Sequence, residues 1–236
     1  MSGECLHPDP WLSQVMERAV YRLDPSDPAA AGRALDRLEG TGRYFVYCRV
    51  PCQELAQVWW LEGRGFHLVD TTMTFAAPLQ RGLPLVSGLD IRLARPQDRD
   101  QVGEVAASAF RYSRFHADPR IEPGLADRLK RRWSENFFSG ARGDLMVVAA
   151  ARDRVVGYNL LLRRGEDLVI DLIAVDRAWR GRGVGRDLIA FAQDQAPGAA
   201  RLVMGTQLAN RPSLALCQGL GMKLVEAAYV YHLHRP

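Results

Sequence analysis

The 236-residue chain has no run of about 18 apolar residues, so the sequence offers no membrane-spanning helix. Residues 1–10 carry neither a basic cluster nor an apolar run, so no secretory signal is expected and the chain reads as soluble and cytoplasmic. Cysteine is scarce. Cys5, Cys48, Cys52 and Cys217 are too few and too irregularly spaced for a disulfide framework, and the Cys48/Cys52 pair has no neighbouring histidine to make a zinc site. Reduced thiols and no bound metal are the expectation. A basic arm is also missing: the net charge is +4, but the arginines are spread along the chain, which argues against nucleic acid and suits a polyanionic small molecule. What is present is ordinary globular composition, 47% hydrophobic and 25% charged, enough to bury a sizeable core.

Breakers divide the chain. Residues 82–88, Gly-Leu-Pro-Leu-Val-Ser-Gly, separate two strand-like runs and suggest two domains, 1–86 and 87–236. In the first, the patterns predict a helix at 28–38, a strand at 43–50, a helix at 53–62 and a strand at 66–76. The second reads as a strand at 91–93, helices at 97–110 and 124–136, strands at 144–151, 155–162 and 168–175, a helix at 184–195, a strand at 201–206, a helix at 212–219 and a last strand or strand pair at 223–234. Antiparallel strands giving way to β-α-β units predict an α/β (α+β) fold with a mixed, mostly antiparallel sheet flanked by helices. Residues 55–70 also echo residues 211–226 as helix, glycine turn and strand, which reads as an internal half-copy.

The segment with the clearest chemistry starts at Leu168. A mostly apolar strand, 168–175, runs into Arg180-Gly181-Arg182-Gly183-Val184-Gly185-Arg186 and then a helix. Such a turn presents unpaired backbone N–H groups at a helix N-terminus, an anion site. Glycine at 181, 183 and 185 clears the approach, and Arg180, Arg182 and Arg186 add charge, so a pyrophosphate is the natural guest. The dinucleotide fingerprint needs a third glycine where Arg186 stands, and the ATP loop needs Gly-Lys-Ser or Gly-Lys-Thr; neither is present.

The loop resembles the R/Q-x-x-G-x-G/A motif of GNAT acyltransferases, and Asn210-Arg-Pro-Ser213-Leu-Ala-Leu-Cys217 with Gly221-Met222 resembles that superfamily's second signature, N-x-x-A-x-x-L-Y-x-x-x-G-F. The resemblance implies acetyl-CoA as acyl donor, with its pyrophosphate on residues 180–186, its pantetheine arm along Ile173, Ala174 and Val175, and further contacts from Asn210 and Ser213. It also implies a GNAT fold, with residues 1–86 as a degenerate half-domain. Ser113-Arg-Phe-His116, Trp133-Ser-Glu-Asn136, Gly205-Thr-Gln207 and Gly65-Phe-His-Leu-Val-Asp70-Thr together resemble the dTDP-fucosamine acetyltransferase family over most of the chain, which implies a primary amine on a nucleotide-linked or natural-product sugar as acceptor. Other acceptors, a peptide or another secondary-metabolite amine, stay open, as does a non-catalytic acyl-CoA-binding role. No nucleic-acid or membrane partner is expected, and a homodimer is allowed.

Acyl transfer to an amine needs a route for a proton off the amine, a donor for the carbonyl oxygen and a proton for the departing thiolate. The backbone N–H groups of 173–175 can serve the carbonyl. Asp171, the one acid in its apolar strand, is either a proton acceptor or a solvent-facing or arginine-paired residue. Cys217 stands where the family has its general-acid tyrosine, and reads either as a proton donor or as a small buried hydrophobe. Tyr229 or Tyr231 on the last strand can substitute, or the thiolate can leave unassisted. Arg114 and His116, in an irregular aromatic and basic stretch, are candidates for acceptor binding, while His232 and His234 read equally well as a solvent-facing strand edge.

Overall fold

The structure, a computed structural model, describes residues 5–236. It divides into two compact units: one holds the residues up to Thr72 together with Ser113–Ile121 and Glu226–Pro236, the other Met73–Tyr112 and Glu122–Val225. The breaker-rich stretch at 82–88 carries no helix or strand and lies within the second unit. The elements in chain order are β1 (Leu6–Pro8), α1 (Pro10–Met16), β2 (Ala19–Leu23), α2 (Pro28–Asp36), β3 (Tyr44–Pro51), α3 (Leu55–Gly63), β4 (His67–Pro78), β5 (Asp90–Leu93), α4 (Arg99–Ala109), α5 (Arg114–Ala117), α6 (Pro123–Glu135), β6 (Leu145–Ala151), β7 (Arg154–Arg164), β8 (Asp167–Val175), α7 (Val184–Asp194), β9 (Arg201–Gln207), α8 (Arg211–Gly219) and β10 (Lys223–Arg235).

In the first unit β1 pairs antiparallel with β2, β2 parallel with β3, and β3 antiparallel with β10 through Tyr47↔His232. One face of β3 and β10 supplies Val46, Cys48, Val50, Tyr231 and Leu233 to an apolar core completed by Leu35 of α2 and Val58 and Leu61 of α3. The short first helices owe their starts to side-chain caps. Asp9 accepts from Leu12 N at 2.9 Å before Pro10, and Asp27 accepts from Ala29 N and Ala30 N at 3.0 Å before Pro28.

In the second unit β5, β6, β7 and β8 form successive antiparallel pairs, and β9 joins β8 in parallel. The sheet is therefore mixed and mostly antiparallel, flanked by helices. Among the described residues no helix is long and apolar enough to cross a membrane.

The echo between 55–70 and 211–226 extends to hydrogen bonds. At the end of α3, Gly65 N donates to Glu62 O and Phe66 N to Leu61 O, each at 3.0 Å; at the end of α8, Gly221 N donates to Gln218 O and Met222 N to Cys217 O, each at 3.0 Å. Both glycines need the left-handed region, φ +80° at Gly65 and +66° at Gly221, as this type of helix stop requires. In this alignment Cys217 is the counterpart of Leu61, a fully buried core residue.

Candidate active site

The strand that carries the site changes face midway. Leu168 and Ile170 pack with Leu188 and Ile189 of α7, whereas Leu172 and Ala174 pack with Val102, Val105 and Ala106 of α4. Strict alternation would put all four on one side. The reversal comes from a bulge: Leu161 pairs with Ile170 but Leu160 with Leu172, so Asp171 is an extra residue with no partner in the register. The parallel ladder to β9 runs from Asp167↔Arg201 to Ile170↔Met204, while both strands continue beyond it, β8 to Val175 and β9 to Gln207. Among the described ladder pairings, the edge of Ile173, Ala174 and Val175 away from β7 therefore has no strand neighbour. Its amides and carbonyls are available to an extended ligand carrying amides of its own.

Next to that edge lies the glycine-rich turn. Gly181 and Gly183 have φ +75° and +79°, conformations that glycine adopts without strain. Gly183 is the N-cap of α7 and has no side chain to bind the first-turn amides, so these remain for a ligand. Val184 is buried and anchors the helix start. Arg182 lies over the ring of Trp179, 5.1 Å from its centroid. Arg180 does something the sequence did not suggest: its Nε donates to Val175 O at 3.0 Å and its Nη2 to Ala109 O at 2.9 Å. It staples the turn to the ends of β8 and α4, and its charge raises the local potential without pointing wholly at a ligand.

Asp171 is held by three donors. Arg142 binds it in a fork, Nε to Oδ2 and Nη2 to Oδ1 at 2.6 Å each, and Trp133 Nε1 donates to Oδ2 at 2.9 Å. A carboxylate so engaged is a structural anion. The bulge gives it room, and its geometry is that of an anchor for β8, the arginine-paired alternative, rather than a proton acceptor.

Two of the other proton-transfer candidates, Cys217 and Tyr231, are placed away from solvent. Cys217 is fully buried in the core between α7 and β9, with Met204 Sδ 3.7 Å from its sulfur, and burial pushes its thiol up to about 11. A thiol in that setting is a small hydrophobe, as Leu61 is at the matching place in α3. Tyr231 belongs to the core of the first unit; burial and then the Glu62 carboxylate, which accepts from its hydroxyl at 3.2 Å, push it up to about 12. Tyr229, half-buried, packs on the same core. Cys217 and Tyr231 thus sit in apolar cores, as packing residues do.

Asn210 caps α8: its side-chain oxygen accepts from Ser213 N at 3.4 Å, and its Nδ2 donates to Ser213 Oγ at 2.9 Å and to Thr206 Oγ1 at 3.2 Å. Asn210 and Ser213 thus fix the start of α8 to the end of β9. In the first unit, Arg114 stacks on Tyr47, 3.8 Å from the ring centroid, and burial pushes its guanidinium down to about 10. His116 Nδ1 lies 2.6 Å from Ser113 Oγ.

Sequence reasoning missed a polar cluster in the first unit. His232 and His234 are not a solvent-facing edge: His232 is 1% exposed, and His232 Nδ1 and His234 Nε2 each lie 2.7 Å from Asp118 Oδ2. The three ligand atoms lie within 4.8 Å of one another, a spacing that can hold a metal ion. Arg18 Nη1, however, lies 3.4 Å from His234 Nδ1. Arginine only donates, so that nitrogen accepts and the proton of His234 sits on Nε2, aimed at Asp118. In that arrangement one proton of each imidazole points at Asp118. The only sequence signal was the His-x-His alternation, and its partner lies 114 residues away from His232.

Two further groups were not singled out. Asn159 on β7, paired with Ile173, is fully buried with both amide atoms unpartnered by protein. Asp187 in the first turn of α7 is fully buried as well.

The model of the acetyltransferase (GNAT) family matches residues 107–222, which include the bulged strand, the turn and α7. The chain carries a GNAT acetyltransferase domain over those residues. Over 99% of this chain, the spore coat polysaccharide biosynthesis protein SpsD of Bacillus subtilis (strain 168) is 23% identical, an alignment covering 84% of that protein. A GCN5-related N-acetyltransferase from Sphaerobacter thermophilus has the same fold, with TM-score 0.62 at 17% identity over 92% of this chain and 73% of that one. A tandem GNAT protein from the clavulanic acid biosynthesis pathway likewise gives TM-score 0.62 at 15% identity, covering 92% of this chain and 76% of that one.

Because Cys217 is a buried packing residue, Cys217→Ala is expected to leave kcat within about twofold of the parent while lowering stability by about 1 kcal/mol. Coenzyme A release at saturating donor, together with urea unfolding, checks both; a tenfold fall in kcat would restore the thiol as a proton donor.

Proposed function

We propose that the protein transfers an acetyl group from acetyl-CoA to a primary amine of a nucleotide-linked or natural-product amino sugar. The observation that carries the donor half is the unpaired edge of β8 running directly into an uncapped, glycine-rich helix N-terminus. The residues fit the group: the turn offers backbone donors and arginines for a diphosphate, and the strand edge offers the ladder partner that an amide-containing arm needs. Acetyl-CoA supplies an activated thioester.

The chain's own residues then have limited tasks. Arg182, Arg186 and the amides that follow Gly181 and Gly183 hold the diphosphate, and Ile173–Val175 align the arm. An amide of the same segment donates to the thioester oxygen as negative charge develops there. Arg142 and Trp133 hold Asp171, and with it the bulge that exposes this edge. A thiol with a pKa of about 8.5 is a tolerable leaving group; the proton shed by the attacking amine passes to water, and the departing thiolate takes its proton from water rather than from the buried Cys217.

For the acceptor, support comes from the match to SpsD, a protein of polysaccharide biosynthesis, over almost the whole chain, and from the resemblance to dTDP-fucosamine acetyltransferases. Arg114 and His116 are assigned to acceptor binding on that resemblance. Residues 1–86 are read as a degenerate half-copy of the acyltransferase fold, supported by the matched turns after α3 and α8.

The test is coenzyme A release over a panel of nucleotide-linked amino sugars, free amino sugars and peptide amines. Turnover on the nucleotide-linked sugars above the other classes is expected. Tight coenzyme A binding without turnover on any sugar, or faster turnover on peptides, would overturn the reading.

A further inference from the structure

Residues 79–87 run along the whole of α7, held mostly by side chains of that helix and by carbonyls just beyond it. Gln80 N donates to Gln193 Oε1 at 2.8 Å, and Gly82 N to Asp194 Oδ1 at 2.8 Å. Arg81 Nη2 donates to Ala196 O at 3.0 Å and Ala199 O at 3.1 Å. At the other end of the helix the strap meets its first turn. The Asp187 carboxylate accepts from Val86 N with both oxygens at 3.0 Å and from Ser87 N at 2.7 Å. Val86 also closes on the turn itself: a Cβ placed on Gly183 would come within 2.6 Å of Val86 Cγ2.

This contact has an electrostatic purpose. Asp187 N makes the helix's first backbone bond, to Gly183 O at 3.0 Å, so a fully buried carboxylate stands one turn from the helix end offered to a diphosphate. A negative side chain in the first turn competes with an anionic ligand for the positive end of the helix. Three strap donor contacts engage that carboxylate instead, leaving the α7 amides to the ligand. Val86 meanwhile fills the space beside Gly183 that a side chain there would need.

We propose that Asp187 and the strap residues Val86 and Ser87 are positioning residues of the acyl-CoA site, engaging the Asp187 carboxylate away from the first-turn amides of α7 and setting the geometry of the 180–186 turn. The proposal rests on the reading of that turn as the diphosphate site. Asp187→Asn replaces one acceptor oxygen by a donor facing the strap amides, and Val86→Ala removes the contact with Gly183 while leaving every hydrogen bond.

The experiment is calorimetric titration of the full chain with coenzyme A, alongside the unfolding midpoint of the ligand-free protein. The Kd is expected to rise about tenfold in Asp187→Asn and about threefold in Val86→Ala, the latter with an almost unchanged midpoint. Should Asp187→Asn not fold, Val86→Ala decides. A folded Val86→Ala with the parent Kd overturns the proposal, as does a folded Asp187→Asn that loses only stability. Gly183→Val, titrated in parallel, separates the two levels: if it weakens binding while the strap variants do not, only the strap proposal falls; if it too leaves the Kd unchanged, the turn is not the diphosphate site and both readings fall.

Discussion

Gly183→Val weakens coenzyme A binding by about a hundredfold, equivalent to about 2.7 kcal/mol, for two separable reasons. The backbone at Gly183 has φ +79°, where a β-branched residue pays at least about 1–2 kcal/mol. The new side chain also meets Val86 within 2.6 Å and must displace the strap or the turn, spoiling the alignment of the α7 amides in either case. Gly181 isolates the first cause. Its φ is +75°, but nothing lies within 4 Å of an added Cβ, so Gly181→Ala should cost about 1 kcal/mol in stability and far less in binding. Calorimetric Kd values and urea unfolding for the two variants check this ordering. Equal losses of affinity at the two positions would mean that backbone strain alone, without crowding, governs the turn.

The parts of the fold that were legible in the sequence are those whose signals are local. Strands 144–151, 155–162 and 168–175 and helix 184–195 each lie within one or two residues of the observed β6, β7, β8 and α7, because alternation or helical spacing and glycine punctuation mark both ends. The stop after α8 was readable through its echo after α3. By contrast β1, α1 and β2, of three to seven residues, are too short to show a period, and their helix start depends on a single aspartate cap.

What decides the chemistry was not local. The bulge at Asp171 is a property of register between β7 and β8, so the sequence of β8 alone does not reveal that Asp171 faces Arg142, 29 residues earlier. Likewise Cys217 sits at a signature position, and its burial against Met204 is not evident from residue type. The breakers of the strap suggest a domain boundary because they are visible in the sequence, while the carboxylate that binds the strap, about 100 residues on, is not.

His232 is expected to make the first unit's stability fall with pH well before Asp118 protonates. The ring packs between Phe45 and Phe115, with Asp118 and His234 bonded in one network and Arg114 and Arg18 adding positive charge nearby. Its Nδ1 proton goes to Asp118, while Nε2 is buried without a partner, so a second proton there would have no acceptor. Burial therefore lowers its pKa to about 4, against the opposing pull of Asp118. For Asp118 itself burial acts upward, but the bonds from His232, His234 and Arg120 N hold it far below the usual carboxylate range.

The sign follows from where each chain state binds protons. Above about pH 6.5 His232 is neutral in both states and contributes in full; as the pH falls toward 4 the unfolded chain takes up a proton that the folded one refuses, and stability is lost. Asp118 adds its own loss only below about pH 3.8, so the two windows separate. Between pH 7.5 and 4.5 the His232 part amounts to about 2–3 kcal/mol. His232→Asn keeps a donor for Asp118 through its side-chain amide but cannot titrate. Urea unfolding at the two pH values should show the variant less stable than the parent at pH 7.5 and losing about 2–3 kcal/mol less on acidification. Equal pH slopes in the two proteins would place the acid sensitivity elsewhere and leave the Asp118 cluster as packing alone.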